Sequence, residues 1–215
     1  MEEKLNKHID LLIERYPRLE SCKDDITQAY EILKDSYSIG RKLLVCGNGG
    51  SASDSEHIVG ELMKEFKLKR KVFAYQAEEL KRVDSEMGEV LAQNLQGTLP
   101  AISLTGHSSL TTAFMNDSVP VLVFAQQVNG YGKPGDTFLG ISTSGNSQNV
   151  LYAAVTAKAK GLKVIGLTGA KENKLEKFCD VCIHVPETET YKIQELHLPV
   201  YHCLCMMLED HFFGI

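Results

Sequence analysis

Five short apolar runs, spread over residues 42–185 and each closing on small polar residues, constrain the fold more than any other feature. They are KLLVCG (42–47), LPAISLTG (99–106), DTFLGIS (136–142), KVIGLTG (163–169) and DVCIHV (180–185). None alternates apolar with polar, which is the pattern of strands buried on both faces, in a parallel sheet covered by helices. Helical stretches over about 52–66, 146–160 and 189–212 fill the gaps between runs. The expected architecture is therefore a three-layer α/β sandwich around a five-stranded parallel sheet, with residues 1–215 as a single domain. Residues 1–37 read as two helices. Leu5, Ile9, Leu12, Ile13 and Tyr16 recur at helical spacing, Pro17 interrupts, and Ile26, Ala29, Tyr30, Leu33 and Tyr37 resume the pattern. Ser21 followed by Asp24 resembles a capping box for the second helix. Residues 67–97 break the rhythm. There Leu80, Val83, Met87, Val90 and Leu91 predict one amphipathic helix across about 77–95, an insertion or lid.

Composition removes several classes of function. The chain of 215 residues is 43% hydrophobic and 24% charged, so it can build a core and is not a disordered segment. Its 23 Lys and Arg against 28 Asp and Glu leave a formal charge of −5, the wrong balance for gripping nucleic-acid phosphates. No apolar run reaches the roughly 18 to 20 residues of a membrane span. The charged opening MEEKLNKHID has no apolar signal region, and a cytoplasmic location is expected. The six cysteines include the pairs Cys179–Cys182 and Cys203–Cys205, but these fall in a strand and a helix rather than in knuckle turns. They are read as thiols in a reducing compartment, not as a zinc ribbon.

Ligands of open parallel sheets gather beyond the carboxyl ends of the strands, and two strand ends here carry unusual loops. One is Gly47-Asn48-Gly49-Gly50-Ser51-Ala52-Ser53, the other Ser142-Thr143-Ser144-Gly145-Asn146-Ser147, each leading into a helix. Glycines let backbone N–H groups approach an anion, hydroxyls add neutral donors, and a helix start adds partial positive charge. The first loop also satisfies G-x-G-x-x-A, the dinucleotide fingerprint. A nicotinamide enzyme would need a second strand with an acidic end just after the helix, and KLKRKVFAYQ offers neither. Along the intervening helix, Asp54, His57 and Glu61 share one face, a spacing that suits half of a metal site, a general base with its partner, or a solvated ion pair. The last helix adds Gln194, His197 and His202.

Taken in order, CGNGGSASDSEHIVGEL, LPAISLT, Asn116-Asp117, GDTFLGISTSGNSQNVL, KVIGLTG and IQELHLPVYH resemble the phosphoheptose isomerase family of the sugar-isomerase (SIS) domain superfamily. The resemblance implies a homotetramer that interconverts sedoheptulose 7-phosphate and D-glycero-D-manno-heptose 7-phosphate through an enediol. It implies Ser51, Ser142, Thr143, Ser144 and Ser147 as phosphate holders, with Asn48, Gly49, Asp117 and Gln194 also facing substrate. Glu61 would be the base and His202 its acid partner. His57, Glu61, Gln194 and His202 match the positions that bind Zn2+ in zinc-containing members. The chain departs from the family with Glu65 where an arginine is usual, with Tyr191, and with Pro199 inside the last helix, where a kink is expected. The superfamily also holds a non-enzymatic relative that binds the bacterial replication initiator. That relative lacks the glutamate and the histidine that are present here as Glu61 and His202. Gln194 and His202 are eight residues apart, about 12 Å along a helix, so a site using both would draw them from different subunits.

Overall fold

The computed structural model describes residues 2–214, with side chains from Lys7 onward. The chain runs α1 (Glu2–Arg15), a 3-10 turn (Pro17–Cys22), α2 (Lys23–Ser38), β1 (Leu43–Cys46), α3 (Gly50–Met63), α4 (Ala74–Val83) and α5 (Ser85–Asn94). Then follow β2 (Ala101–Ser103), α6 (Ser108–Asp117), α7 (Val123–Tyr131), β3 (Thr137–Ile141), α8 (Gln148–Ala159), β4 (Lys163–Gly169), β5 (Val181–Val185) and α9 (Thr190–Phe213). All strand pairs are parallel, in the order β2-β1-β3-β4-β5. The chain leaves β1 toward β2 on one side and returns to β3 on the other. The β1/β3 boundary is thus the switch point where a ligand crevice opens.

The continuous apolar runs have a direct packing reason. Leu43 and Val45 of β1 face α1, α2, α3 and α9, in a core with Ile9, Tyr30, Ile58 and Tyr201. Leu44 and Cys46 face α7 and α8, in a second core with Phe124, Phe138, Val150 and Ala154. Both alternating sets are buried, so neither may be polar. Of the apolar positions expected in the first helix, Leu5 lies outside the described side chains, whereas Ile9 and Leu12 are buried. All six cysteines are free thiols.

Two local expectations are corrected. Ser21 makes no capping box: its hydroxyl turns to the Arg18 carbonyl at 3.5 Å, because Pro17 launches a 3-10 turn and α2 begins only at Lys23. The single helix expected over 77–95 is two helices. Asp84 breaks it by accepting hydrogen bonds from Glu86 N at 3.0 Å and Met87 N at 2.8 Å, an N-cap for α5. The α4–α5 hairpin turns its apolar stripe outward, with Val83 83%, Met87 65% and Val90 58% exposed, so the stripe does not cover the chain's own sheet. Helix α9 continues through Pro199 to Phe213.

One buried charge pair fixes the far end of α3. The Glu209 carboxylate on α9 accepts from Phe66 N at 2.8 Å, Lys67 N at 2.8 Å, Leu68 N at 3.1 Å and Arg70 Nε at 2.7 Å. Arg70 in turn donates to the carbonyls of Glu61 at 2.9 Å and Leu62 at 2.8 Å, which end the helix without an intrahelical partner. Side-chain exposure is 0% for Arg70 and 2% for Glu209. Removing one partner strands a charge and three backbone donors, so Glu209→Leu should lower unfolding free energy by about 3–5 kcal/mol in urea titration. Arg70→Met combined with Glu209→Leu should cost less than the two single losses added.

His197, on the buried face of α9, gives a second test. Burial pushes its imidazole down to about 4 from 6.5. Below pH 6.5 the unfolded chain takes up a proton that the folded chain refuses until about pH 4, so stability falls as pH drops through that window. At 1.36 kcal/mol per unit this amounts to about 3 kcal/mol, and His197→Gln should flatten the slope of stability against pH between those limits.

Candidate active site

The two polar loops meet at the switch point. After β1, Gly49 takes φ +56°, a conformation that a side chain would strain, and a side chain on Gly50 would run into the Gln194 amide. Ser51 is buried at the start of α3. After β3, Gly145 also has positive φ, +60°, and its N–H closes a turn onto the Ser142 carbonyl at 3.0 Å. Ser142 and Ser147 hydroxyls stand 3.1 Å apart, and Ser144 Oγ accepts from Asn146 N at 3.2 Å. The Ser147 side chain does not cap α8, and of its first N–H groups that of Val150 is taken by Asn149 Oδ1 at 3.0 Å. The two loops are tied by a reciprocal amide pair, Asn48 Nδ2 to Asn149 Oδ1 at 3.0 Å and Asn149 Nδ2 to Asn48 Oδ1 at 2.8 Å. Hydroxyls, backbone donors and a helix start without an acid suit this crevice to an anion.

A polar cluster forms elsewhere, where α3 packs on α9. His57 Nε2 lies 3.2 Å from Glu61 Oε1, and His57 Nδ1 lies 3.0 Å from the Tyr201 hydroxyl. Tyr201 donates to Asp54 Oδ1 at 3.2 Å. The His202 ring stands edge-on to His57 with centroids 5.0 Å apart, and Phe66 closes its other side at 5.4 Å. Burial, then the neighbouring His57, hold the His202 imidazole below its ordinary value, and burial raises Asp54 and Tyr201. Glu61 Oε2 and His202 Nε2 are buried without a hydrogen-bond partner among the described residues. A cavity of about 400 Å³ between α1 and α9 opens onto this cluster, walled by His8, Arg15, Tyr16, Phe66, Pro199 and His202.

These two groups of residues are at opposite edges of the sheet. Ser51 and Glu61 are ten residues apart on α3, about 15 Å along the axis. Ser51 sits at the carboxyl end of β1, whereas the α3 end meets the start of β2, with Leu99 N bonded to Leu62 O at 3.0 Å. Gln194 stands beside Gly50, at the phosphate end, and is not part of the His57–Glu61–His202 cluster. Among the described residues, no three His, Cys, Asp or Glu side chains of one chain converge as a metal site. Asp117 ends α6 exposed, accepting from Asn116 Nδ2 at 2.8 Å, and makes no hydrogen bond to either group. Sequence reasoning brought out the loops and the α3 face. It missed Tyr201, Asn149, Arg70 and Glu209, whose partners are over 100 residues away and leave no local spacing to read.

Two members of the cluster, His57 and Glu61, are spaced as two ligands of one zinc ion would be. Two ligands about 2.1 Å from a tetrahedral ion stand roughly 3.4 Å apart. His57 Nε2 and Glu61 Oε1 are separated by 3.2 Å, and His202 Nε2 offers a further buried nitrogen without a partner.

Comparison with known proteins bears on the whole chain. The SIS domain profile matches residues 8–77 and 88–169, leaving out a stretch within the α4–α5 hairpin. A phosphoheptose isomerase from Rhodospirillum rubrum is 36% identical over 98% of this chain and 98% of its own. One from Akkermansia muciniphila is 33% identical over 100% of both chains. The solved structure of phosphoheptose isomerase from Neisseria gonorrhoeae is similar to the fold with a TM-score of 0.72, at 30% identity over 97% of this chain and 98% of that one. With the loops, the α3 glutamate and the α9 histidine all in place on that fold, the chain belongs to the phosphoheptose isomerase family of SIS-domain proteins.

Proposed function

We propose that the protein interconverts sedoheptulose 7-phosphate and D-glycero-D-manno-heptose 7-phosphate, with Glu61 and His202 as the proton-transfer pair. The observation that carries the reading is the pairing of a buried carboxylate oxygen on Glu61 with a buried, partner-free His202 nitrogen beside one imidazole. Ketose–aldose isomerisation needs this combination. Glu61 takes the proton from C1 of the ketose, forming the enediol, and returns it to C2. His202, held below its ordinary imidazole value by burial, can take a proton from one oxygen and give it to the other. The STSGNS loop with Ser51 holds the phosphate, and Asn48, Gly49, Asp117 and Gln194 complete the substrate contacts. A regulator that only binds sugar phosphates would have no use for this acid–base pair.

The separation of the two edges supports a site shared between subunits. The roughly 15 Å of α3 between Ser51 and Glu61 sets the phosphate loop and the proton-transfer pair far apart within one chain. The reading is a homotetramer in which the phosphate loop of one subunit faces Glu61 and His202 of another. The outward stripe on the α4–α5 hairpin supports a further contact between subunits. Zn2+ would be held by His57, Glu61, Gln194 and His202 drawn from more than one subunit, and would supply Lewis-acid polarisation of the sugar oxygens. A glutamate that ligates zinc is a weaker base, so ligation and proton abstraction belong to different moments of the cycle. The enzyme works in the cytoplasm, in keeping with its six free thiols.

Glu61→Gln and His202→Ala should each lower kcat by roughly 10² or more in a coupled assay with sedoheptulose 7-phosphate, with KM changed far less. The same Glu61→Gln protein should retain less zinc by mass spectrometry of dialysed samples, a readout independent of turnover. Near-wild-type kcat in either variant overturns the assignment of the pair. Replacing Ser142 and Ser144 together by Ala removes two hydroxyl donors to an anion and should raise KM by roughly tenfold or more. It should also abolish competitive inhibition by inorganic phosphate. Inhibition that persists unchanged would put the anion site elsewhere.

A further inference from the structure

We infer that Cys179 and Cys182 are a modification site, a dithiol that a hydroperoxide closes to a disulfide, and that closing it loosens the STSGNS loop. The two thiols converge in space. A Cβ on Gly166, the β4 residue paired with Cys182, would stand 2.8 Å from the sulfur of each, so the sulfurs are no further apart than twice that distance. Gly166 puts no side chain between them. Along a straight strand, residues three apart point to opposite faces. Here the chain bends at Asp180, which brings both sulfurs over Gly166. The bend is clamped to β4: Asp180 N donates to the Val164 carbonyl at 2.7 Å, and the Asp180 carboxylate accepts from Val164 N at 2.8 Å and Lys158 Nζ at 3.0 Å.

The pair also differs from the other thiols in reactivity. Of the six, Cys179 is the one that is not buried, and burial pushes Cys22, Cys46, Cys203 and Cys205 up. The Cys179 thiol, helped by His184 and opposed by burial, holds Cys182 below the ordinary thiol value, while Cys179 itself is pushed up. The thiolate is the nucleophile, so Cys182 attacks and Cys179 resolves. With hydrogen peroxide, the Cys182 sulfur bonds one oxygen as the O–O bond breaks, and the other oxygen leaves as hydroxide. The Cys179 sulfur then attacks the sulfenic sulfur, the S–O bond breaks, and the Cys179 proton leaves with that oxygen as water. Two thiols give up two electrons and two protons, and the peroxide becomes two waters. The consequence for the loop follows from what the Cys179 segment holds. Leu175 N donates to the Gly145 carbonyl at 3.0 Å, and Lys174 N to Asn146 Oδ1 at 3.2 Å. The Cys179 thiol donates to the Leu175 carbonyl at 3.3 Å. A disulfide has no proton for that carbonyl and draws the sulfur toward Cys182, so the loop loses part of its support.

Both cysteines fall in one tryptic peptide, residues 178–192. Whole wild-type protein is treated with a small excess of hydrogen peroxide, then denatured, alkylated and digested. Mass spectrometry should find this peptide unalkylated and two hydrogens lighter, restored by dithiothreitol, with the other four cysteines alkylated. Cys179→Ser should instead leave a sulfenic acid on Cys182 that a cyclic dione traps. Recovery of the wild-type peptide with both cysteines alkylated, or oxidation of the other four at the same rate, overturns the site. The loop consequence rests on the STSGNS loop being the phosphate holder, and is read separately by titration calorimetry with inorganic phosphate. Oxidised wild type should bind phosphate roughly fivefold more weakly than reduced, the worth of one supporting hydrogen bond, and peroxide should leave the affinity of Cys179→Ser unchanged. Equal affinity in the two wild-type forms overturns the link to the loop. Reduced protein that binds no phosphate refutes the phosphate reading and with it the link, while the mass result still decides the dithiol.

Discussion

The Glu209 carboxylate is the point on which the geometry of the polar cluster between α3 and α9 depends. It gathers three successive backbone N–H groups and a guanidinium in a place that water does not reach, and the guanidinium in turn receives the last carbonyls of α3. A helix end buried without partners would be expensive, and a lone buried carboxylate more so. Each solves the other's problem. The result is that Glu61, whose own carbonyl is one of those Arg70 holds, cannot move relative to α9 without breaking the pair. His202, seven residues before Glu209 on α9, shares that frame. The positive charge near the end of α3 comes from Arg70 and from Lys64, whose Nζ is 3.6 Å from Glu61 Oε2. The Glu65 departure from the family pattern has no structural explanation here, since its bond to Gln96 is made by the backbone N–H.

Helix α3 then acts as a strut between two chemical duties. On the proposed reading its start serves anion binding and its end proton transfer, and Gln194 and His202 would repeat the same division along α9. The two helices run side by side, with Gly50 against Gln194 at one end and His57 against Tyr201 and His202 at the other. A side chain at position 50 would have to push the Gln194 amide aside.

What the sequence made legible followed from periodicity. The strands could be read because both faces of β1, β3 and β4 are buried, and the catalytic face of α3 because His57 and Glu61 are one turn apart. The break at Asp84 was within reach, since an aspartate followed by Ser-Glu is a good helix start, but the apolar spacing across it concealed the interruption. Ser21 misled for the opposite reason: its local pattern was right and Pro17 had already committed the backbone to a tighter turn. Arg70 with Glu209, and Asp54 with Tyr201, could not be read at all. Their partners are 139 and 147 residues apart, and no local rule links such positions.

The reciprocal bond between Asn48 and Asn149 has a bearing on how this protein can vary. Each amide presents one donor and one acceptor to the other across 101 residues of sequence. A carboxylate, an alcohol or an alkyl group at either position answers only half of that pattern or none of it. Both side chains reach solvent, so an unmatched amide can turn to water and the loss in stability is small. What is lost is the fixed spacing between the two loops. The two asparagines are therefore a single unit of inheritance, open to change together and closed to change one at a time.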